Sequence, residues 1–243
     1  MIIPLRDSPQ SRTRPVVVWA IVLVNVVVFL WEMTLGPRQL DAAIQVFGFV
    51  PYRFFGWEQA GGAALDPWRF LPLLTANFLH GGWLHILGNM WFLWIFGDNV
   101  EDRLGHGRFL FFYLVCGACS MLVQGWVLPS SRVPAIGASG AISGVLGAYL
   151  VLYPTARVRT WMFIIFFVDL PAVVFLGVWF LTQLVSGAAS LSPGAGEAAG
   201  GVAWWAHVGG FVVGMALCVL LRKDEAPRPS RAWTTRPPPG LWT

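Results

Sequence analysis

The chain has 243 residues, of which 56% are hydrophobic and only 12% charged, with a mean hydropathy of +0.65. Ordinary soluble domains carry about 25% charged residues, so this composition excludes one and points to an integral membrane protein. The formal charge of +4 does not indicate a nucleic-acid partner, because the basic residues flank apolar runs and build no basic-aromatic face.

The first apolar run, 16–35, follows Arg6, Arg12 and Arg14. At about 20 residues and without a small-residue cleavage site, it is predicted to stay as a membrane helix and not to be removed as a signal peptide. The stretch 36–79 is too apolar for a free linker, and its Trp57, Trp68, Arg69 and Phe70 suit the headgroup region. Further spans are predicted at 83–100, 109–128, 139–153, 170–185 and 202–221. The fold class expected is therefore all-α, a polytopic bundle of six transmembrane helices. The segment 161–168 is expected to be interfacial, with Asp169 and Pro171 marking the start of the fifth helix.

Of the 16 Lys and Arg residues, Arg38, Arg53, Arg69 and Arg132 fall on one side of this topology and the rest on the other. The positive-inside rule then puts both termini in the cytoplasm. The domain reading is a short basic tail over 1–15, a six-helix domain over 16–222 and a Pro/Arg-rich tail over 223–243 expected to be disordered. Cys116, Cys119 and Cys218 all lie in apolar runs, where they make neither a disulfide framework nor a zinc site. No internal repeat of the kind that builds many transporters stands out.

Polar groups inside such runs carry the functional argument, since an unpaired one in hydrocarbon costs several kcal/mol. The run opened by Ser139 reaches Pro154 after about 22 Å of helix, against a hydrocarbon core of about 30 Å, so Ser139 should start a helix below the membrane surface. Free backbone N–H groups at that start suit an oxyanion, and the non-helical approach 134–138 must then line a watery cavity. Gly140, Ser143, Gly144 and Gly147 can equally be read as a packing face.

His207 stands beside the stripe Ala206, Gly210 and Gly214, which would press on the Ser139 helix. It can serve as a base or as a structural hydrogen-bonder. His85 and Asn89 share a helix face and could donate into one cavity as an oxyanion hole. His80 is assigned to structure or to the cavity entrance. His106, in the turn 105–107, has no partner for chemistry.

The set His80, His85 and Asn89, then Gly137-Ala138-Ser139-Gly140, then Ala206-His207-Val208-Gly209-Gly210 resembles the rhomboid family of intramembrane serine proteases. Trp68-Arg69 and Gly97-x2-Val100-Glu101-x3-Gly105 extend the likeness to roughly 68–221. The resemblance implies Ser139 as nucleophile and His207 as base without a third carboxylate. It implies His85, Asn89 and the Ser139 N–H as oxyanion donors, with Gly137 keeping the approach open. Relative to the family the chain is expected to be minimal, with no soluble N-terminal domain and no seventh helix.

The function expected is an intramembrane serine endopeptidase with no cofactor or metal. Its partners would be transmembrane protein substrates and the lipid bilayer, with no nucleic acid. Family likeness implies cleavage beside a small residue where the substrate helix unwinds. Entry would pass the fifth helix and a loop given freedom by Gly187, Gly194, Gly196, Gly200 and Gly201. The location expected is a bacterial plasma membrane. The rival is a non-catalytic adaptor that holds client helices; a transporter is a weaker third reading, since Asp169 lies outside the candidate cavity.

Overall fold

The computed structural model describes residues 2–162, 166–192 and 202–222. The tail expected over 223–243 and the glycines at 194, 196, 200 and 201 lie outside the described residues.

The elements in chain order are β1 (Ile2–Asp7), α1 (Val16–Thr34), α2 (Pro37–Phe47), α3 (Pro51–Phe55) and α4 (Pro67–Thr75), then a 3-10 turn (Ala76–Phe78). They continue with α5 (Trp83–Leu104), α6 (His106–Val127), α7 (Ser139–Leu152), β2 (Arg157–Met162), β3 (Phe166–Pro171), α8 (Ala172–Ala189) and α9 (Trp204–Leu221). Four of them, α1, α6, α8 and α9, are long and apolar enough to cross a membrane. α7 is apolar but has only 14 residues. α5 ends in the polar run Asp98 to Arg103, which lowers its hydropathy.

The protein is mostly helical and not all-α. β1, β2 and β3 form one antiparallel sheet in that order. Residues 2–7, expected in a basic tail, supply its first strand, and the segment expected to lie at the interface supplies the hairpin. Asp169, read as a helix-start signal, instead pairs with Arg159 across the hairpin at 2.9 Å, and α8 begins after Pro171.

Neighbouring helices are joined by local chemistry. Gly105 alone separates α5 from α6, and its φ of +83° is a backbone state that a β-carbon disfavours. Glu101, fully buried, accepts from the N–H groups of Val17 and Val18 at 3.0 and 2.8 Å. It thereby fills the role of a cap for α1, whose own preceding residue, Pro15, offers no side-chain bond. His106, expected to lack a partner for chemistry, opens α6 and pairs through Nδ1 with the same carboxylate at 2.5 Å.

The core lies between α5, α6, α7 and α9, with Phe96, Phe109, Phe112, Tyr113 and Tyr149 fully buried. By contrast α1 turns Leu23, Val27 and Leu30 outward and keeps its polar Asn25 and Glu32 buried, so its outward face is apolar, as a lipid-facing helix requires.

Candidate active site

Ser139 is placed by its approach. Phe49 and Ala135 bridge in both directions at 3.0 and 2.8 Å, and the Gly137 N–H donates to Ala76 O at 2.8 Å. Gly137 turns the chain at φ +118°. A β-carbon there would lie 2.6 Å from His85 Nε2, so both the backbone state and the space call for glycine. Helix α7 then begins at Ser139, and its first internal bond runs from Ile142 N–H to Ala138 O. The N–H groups of Ser139, Gly140 and Ala141 therefore have no intrahelical acceptor and stay available at the helix start.

α9 approaches α7 backbone to backbone. A β-carbon on Gly210 would sit 2.0 Å from Gly140 O, and one on Gly214 would sit 2.1 Å from Gly144 O. Only small residues permit this approach. On α6, Gln124 Oε1 accepts the Ala206 N–H at 3.1 Å and so holds the first turn of α9. One residue on, His207 Nε2 lies 2.8 Å from Ser139 Oγ, within the range needed for proton transfer.

The other ring nitrogen, His207 Nδ1, lies 2.8 Å from Gln183 Oε1 on α8. Gln183 Nε2 is engaged with Trp179 O at 3.2 Å, and a carbonyl can only accept. That fixes the amide with its oxygen toward the histidine, so Nδ1 carries the hydrogen and Nε2 is free to accept from Ser139. Trp179 and Trp204 flank the ring with centroids at 6.1 Å each.

Ser139 and His207 face a cavity of about 650 Å³ that His85, Asn89, Phe92 and Trp179 also line, a size suited to a bound segment. The Asn89 amide donates to His85 O at 3.0 Å, which leaves its second hydrogen for the cavity. Ser143 Oγ donates to Ser139 O at 2.6 Å, so this serine is committed to the helix backbone.

His80 is buried at 3% exposure and does not line the cavity. Its ring meets that of His85 edge-on, centroids 5.0 Å apart. Burial, and after it the neighbouring His85, lower its pKa to about 4, so the imidazole is neutral.

Trp68 and Arg69 stand apart from the site. Arg69 bonds Phe54 O at 3.2 Å and Glu58 at 2.8 Å and lies over the Phe54 ring, which ties α4 to α3. Glu101 is likewise distant, at the sheet end of the bundle. Gln183 and Gln124 escaped the sequence reading. The available signal was a lone amide inside an apolar helix, which must find a partner there.

The sequence matches the Rhomboid domain over residues 66–224. It is 26% identical over 223 residues to "Rhomboid-like protein 11, chloroplastic" of Arabidopsis thaliana, covering 90% of this chain and 70% of that protein. It is 31% identical over 152 residues to the human "Presenilin-associated rhomboid-like protein, mitochondrial", covering 59% of this chain and 36% of that protein. Against "Rhomboid protein 1, mitochondrial" of Saccharomyces cerevisiae it is 29% identical over 151 residues, covering 60% and 40%. The chain thus spans well under half of the mitochondrial relatives. Their names place these relatives in chloroplasts and mitochondria, so they lend no support to the bacterial plasma membrane expected from sequence.

Proposed function

The chain belongs to the rhomboid family, and from that premise we propose that it is an intramembrane serine endopeptidase acting on transmembrane protein segments. The observation that carries this reading is the 2.8 Å contact of Ser139 Oγ with His207 Nε2, at the wall of a cavity inside an apolar bundle.

In the proposed reaction Ser139 Oγ attacks the scissile carbonyl carbon while its proton passes to His207 Nε2. Gln183 Oε1 holds the Nδ1 hydrogen of the resulting imidazolium, in the position that a carboxylate takes in other serine hydrolases. The oxyanion accepts from the Ser139 N–H, the second Asn89 hydrogen and His85 Nε2. As the carbonyl reforms, the C–N bond breaks and His207 returns the proton to the leaving amine. Water, deprotonated by His207, then attacks the ester carbon, and the C–O bond to Ser139 breaks as His207 Nε2 returns that proton to Ser139 Oγ, which releases the acid product and restores the enzyme.

α5 and α7 would complete six spans with α1, α6, α8 and α9. α7 spans only about 21 Å at 1.5 Å per residue, so Ser139 would lie below the outer surface. Both termini would be cytoplasmic, residues 16–222 would form the protease domain, and 223–243 a tail. Substrates would present a small residue where their helix unwinds, and would enter beside α8.

The test is cleavage of a reporter transmembrane substrate by purified protein in liposomes, with Ser139→Ala and His207→Ala in parallel. Cleavage by wild type and none by either folded variant is expected. A folded wild type that neither cuts a substrate panel nor takes up a fluorophosphonate would give the adaptor reading instead.

A further inference from the structure

The rhomboid match begins at residue 66, yet α1 reaches the site through one carboxyl group. Glu32, near the end of α1, is buried at 2% exposure. Its two carboxyl oxygens face the His80 N–H at 3.1 and 3.3 Å, across 48 residues of sequence. Phe29, one turn earlier and also buried, meets the Trp83 ring edge-on at 5.0 Å. The link 79–82 between the 3-10 turn and α5 is therefore held by α1 at His80, and the first residue of α5 is held beside it at Trp83.

The next amide in this link does chemical work. The Gly81 N–H lies 3.2 Å from His85 Nδ1. A backbone N–H can only donate, so Nδ1 must be the bare nitrogen and the ring hydrogen must sit on Nε2. Nε2 is the atom against Gly137, where a β-carbon would come within 2.6 Å of it and 3.7 Å from Ser139 Oγ. The opposite tautomer would turn a lone pair toward the developing negative charge and set two N–H groups against each other at Gly81.

We propose that Glu32 is a positioning residue: by holding the His80 amide it aims the Gly81 N–H at His85 Nδ1, and so keeps the His85 hydrogen on Nε2 as an oxyanion donor. The kinetic consequence rests on the proteolytic reading; the tautomer does not. The arrangement also gives a reason for a carboxyl group inside a largely apolar helix, a placement that needs a hydrogen-bonded partner.

Glutamine can still accept the His80 N–H and leucine cannot, so Glu32→Gln and Glu32→Leu separate hydrogen bonding from mere bulk. The chain has only four histidines, and in 15N-histidine-labelled protein the His85 signal is assigned by its loss in His85→Ala. Wild type and Glu32→Gln should show His85 protonated on Nε2, and Glu32→Leu a mixture of tautomers. On a reporter substrate, kcat of Glu32→Leu should fall about tenfold or more with KM within twofold, the pattern of a contact made only in the transition state. Glu32→Gln should restore kcat to within about threefold.

Wild-type His85 protonated on Nδ1 would overturn the proposal, and this measurement holds even where Glu32→Leu fails to fold. So would a folded Glu32→Leu with unaltered tautomer and kcat. If no variant, wild type included, cleaves substrate while the tautomers follow the expected pattern, the proteolytic reading fails and the positioning role of Glu32 stands.

Discussion

Tyr149 donates a 2.6 Å hydrogen bond to Asp7 across 142 residues of sequence, joining β1 to the helix whose first residue is Ser139. Asn99 Nδ2 donates to the same oxygen at 3.0 Å, so α5 and α7 both hold the N-terminal strand. Desolvation by burial, only partly offset by the Tyr149 bond, raises the Asp7 pKa from 3.8 to about 7. Folded protein thus keeps a proton that the unfolded chain gives up.

A raised carboxyl pKa contributes stability in full below the unfolded value and loses it as pH rises through the folded one. Asp7→Asn can still accept from Tyr149 and Asn99 but does not titrate. The melting temperature of Asp7→Asn relative to wild type should therefore increase from about pH 4 to about pH 7 and stay level above. Thermal unfolding of both proteins in detergent across that range checks it; a difference independent of pH would show that Asp7 is not desolvated as described.

Gln183 contacts the candidate base and does not line the cavity. Gln183→Ala removes the acceptor that selects the His207 tautomer, and kcat should fall about 10–100-fold with KM nearly unchanged, well short of the roughly 10⁴-fold loss when the wrong tautomer of a triad histidine is enforced. Steady-state kinetics on a reporter substrate would show this, and an equal rise in KM would count against the assignment.

Two glycines in helices make a controlled pair. A β-carbon on Gly214 would be 2.1 Å from Gly144 O, whereas one on Gly177 would meet nothing within 4 Å. Gly214→Ala must push α9 off α7 and should destabilise by about 1–3 kcal/mol or more. Gly177→Ala should be neutral or stabilising by up to about 1 kcal/mol through helix propensity. Denaturation midpoints report the difference, and cleavage should fall with Gly214→Ala alone because the α7–α9 contact sets the Ser139–His207 distance.

Glu101→Ala leaves the Val17 and Val18 amides without their acceptor and should cost about 1–3 kcal/mol. Glu101→Gln, which can accept only one of the two in the same way, should lie between. Melting temperatures of the three proteins order the effect.

Most of the helical frame was legible because a membrane helix announces itself by length and apolarity. The run predicted at 16–35 is α1 at Val16–Thr34, and that at 202–221 is α9 at Trp204–Leu221. The sheet was hidden for the opposite reason. β1 is six residues with a proline, and its partner lies more than 150 residues later, so no local periodicity records the pairing. Within the site, Ser139, His207, His85 and Asn89 stood out by residue type and spacing. Gln183 did not, because its role depends on a helix-to-helix contact that only the fold supplies.

The pairing of Ile2–Asp7 with Arg157–Met162 also sets an order of assembly. β1 has no template until β2 has been synthesised, and at about 5–20 residues per second that is a delay of roughly 8–30 s on the ribosome. During that interval α1 and α5 can pair while the far end of the Ser139 helix is still untied. Closure of the bundle at its sheet end therefore waits for β2 but precedes α8 and α9, so the far end of the Ser139 helix can be tied down before His207 exists to meet its near end.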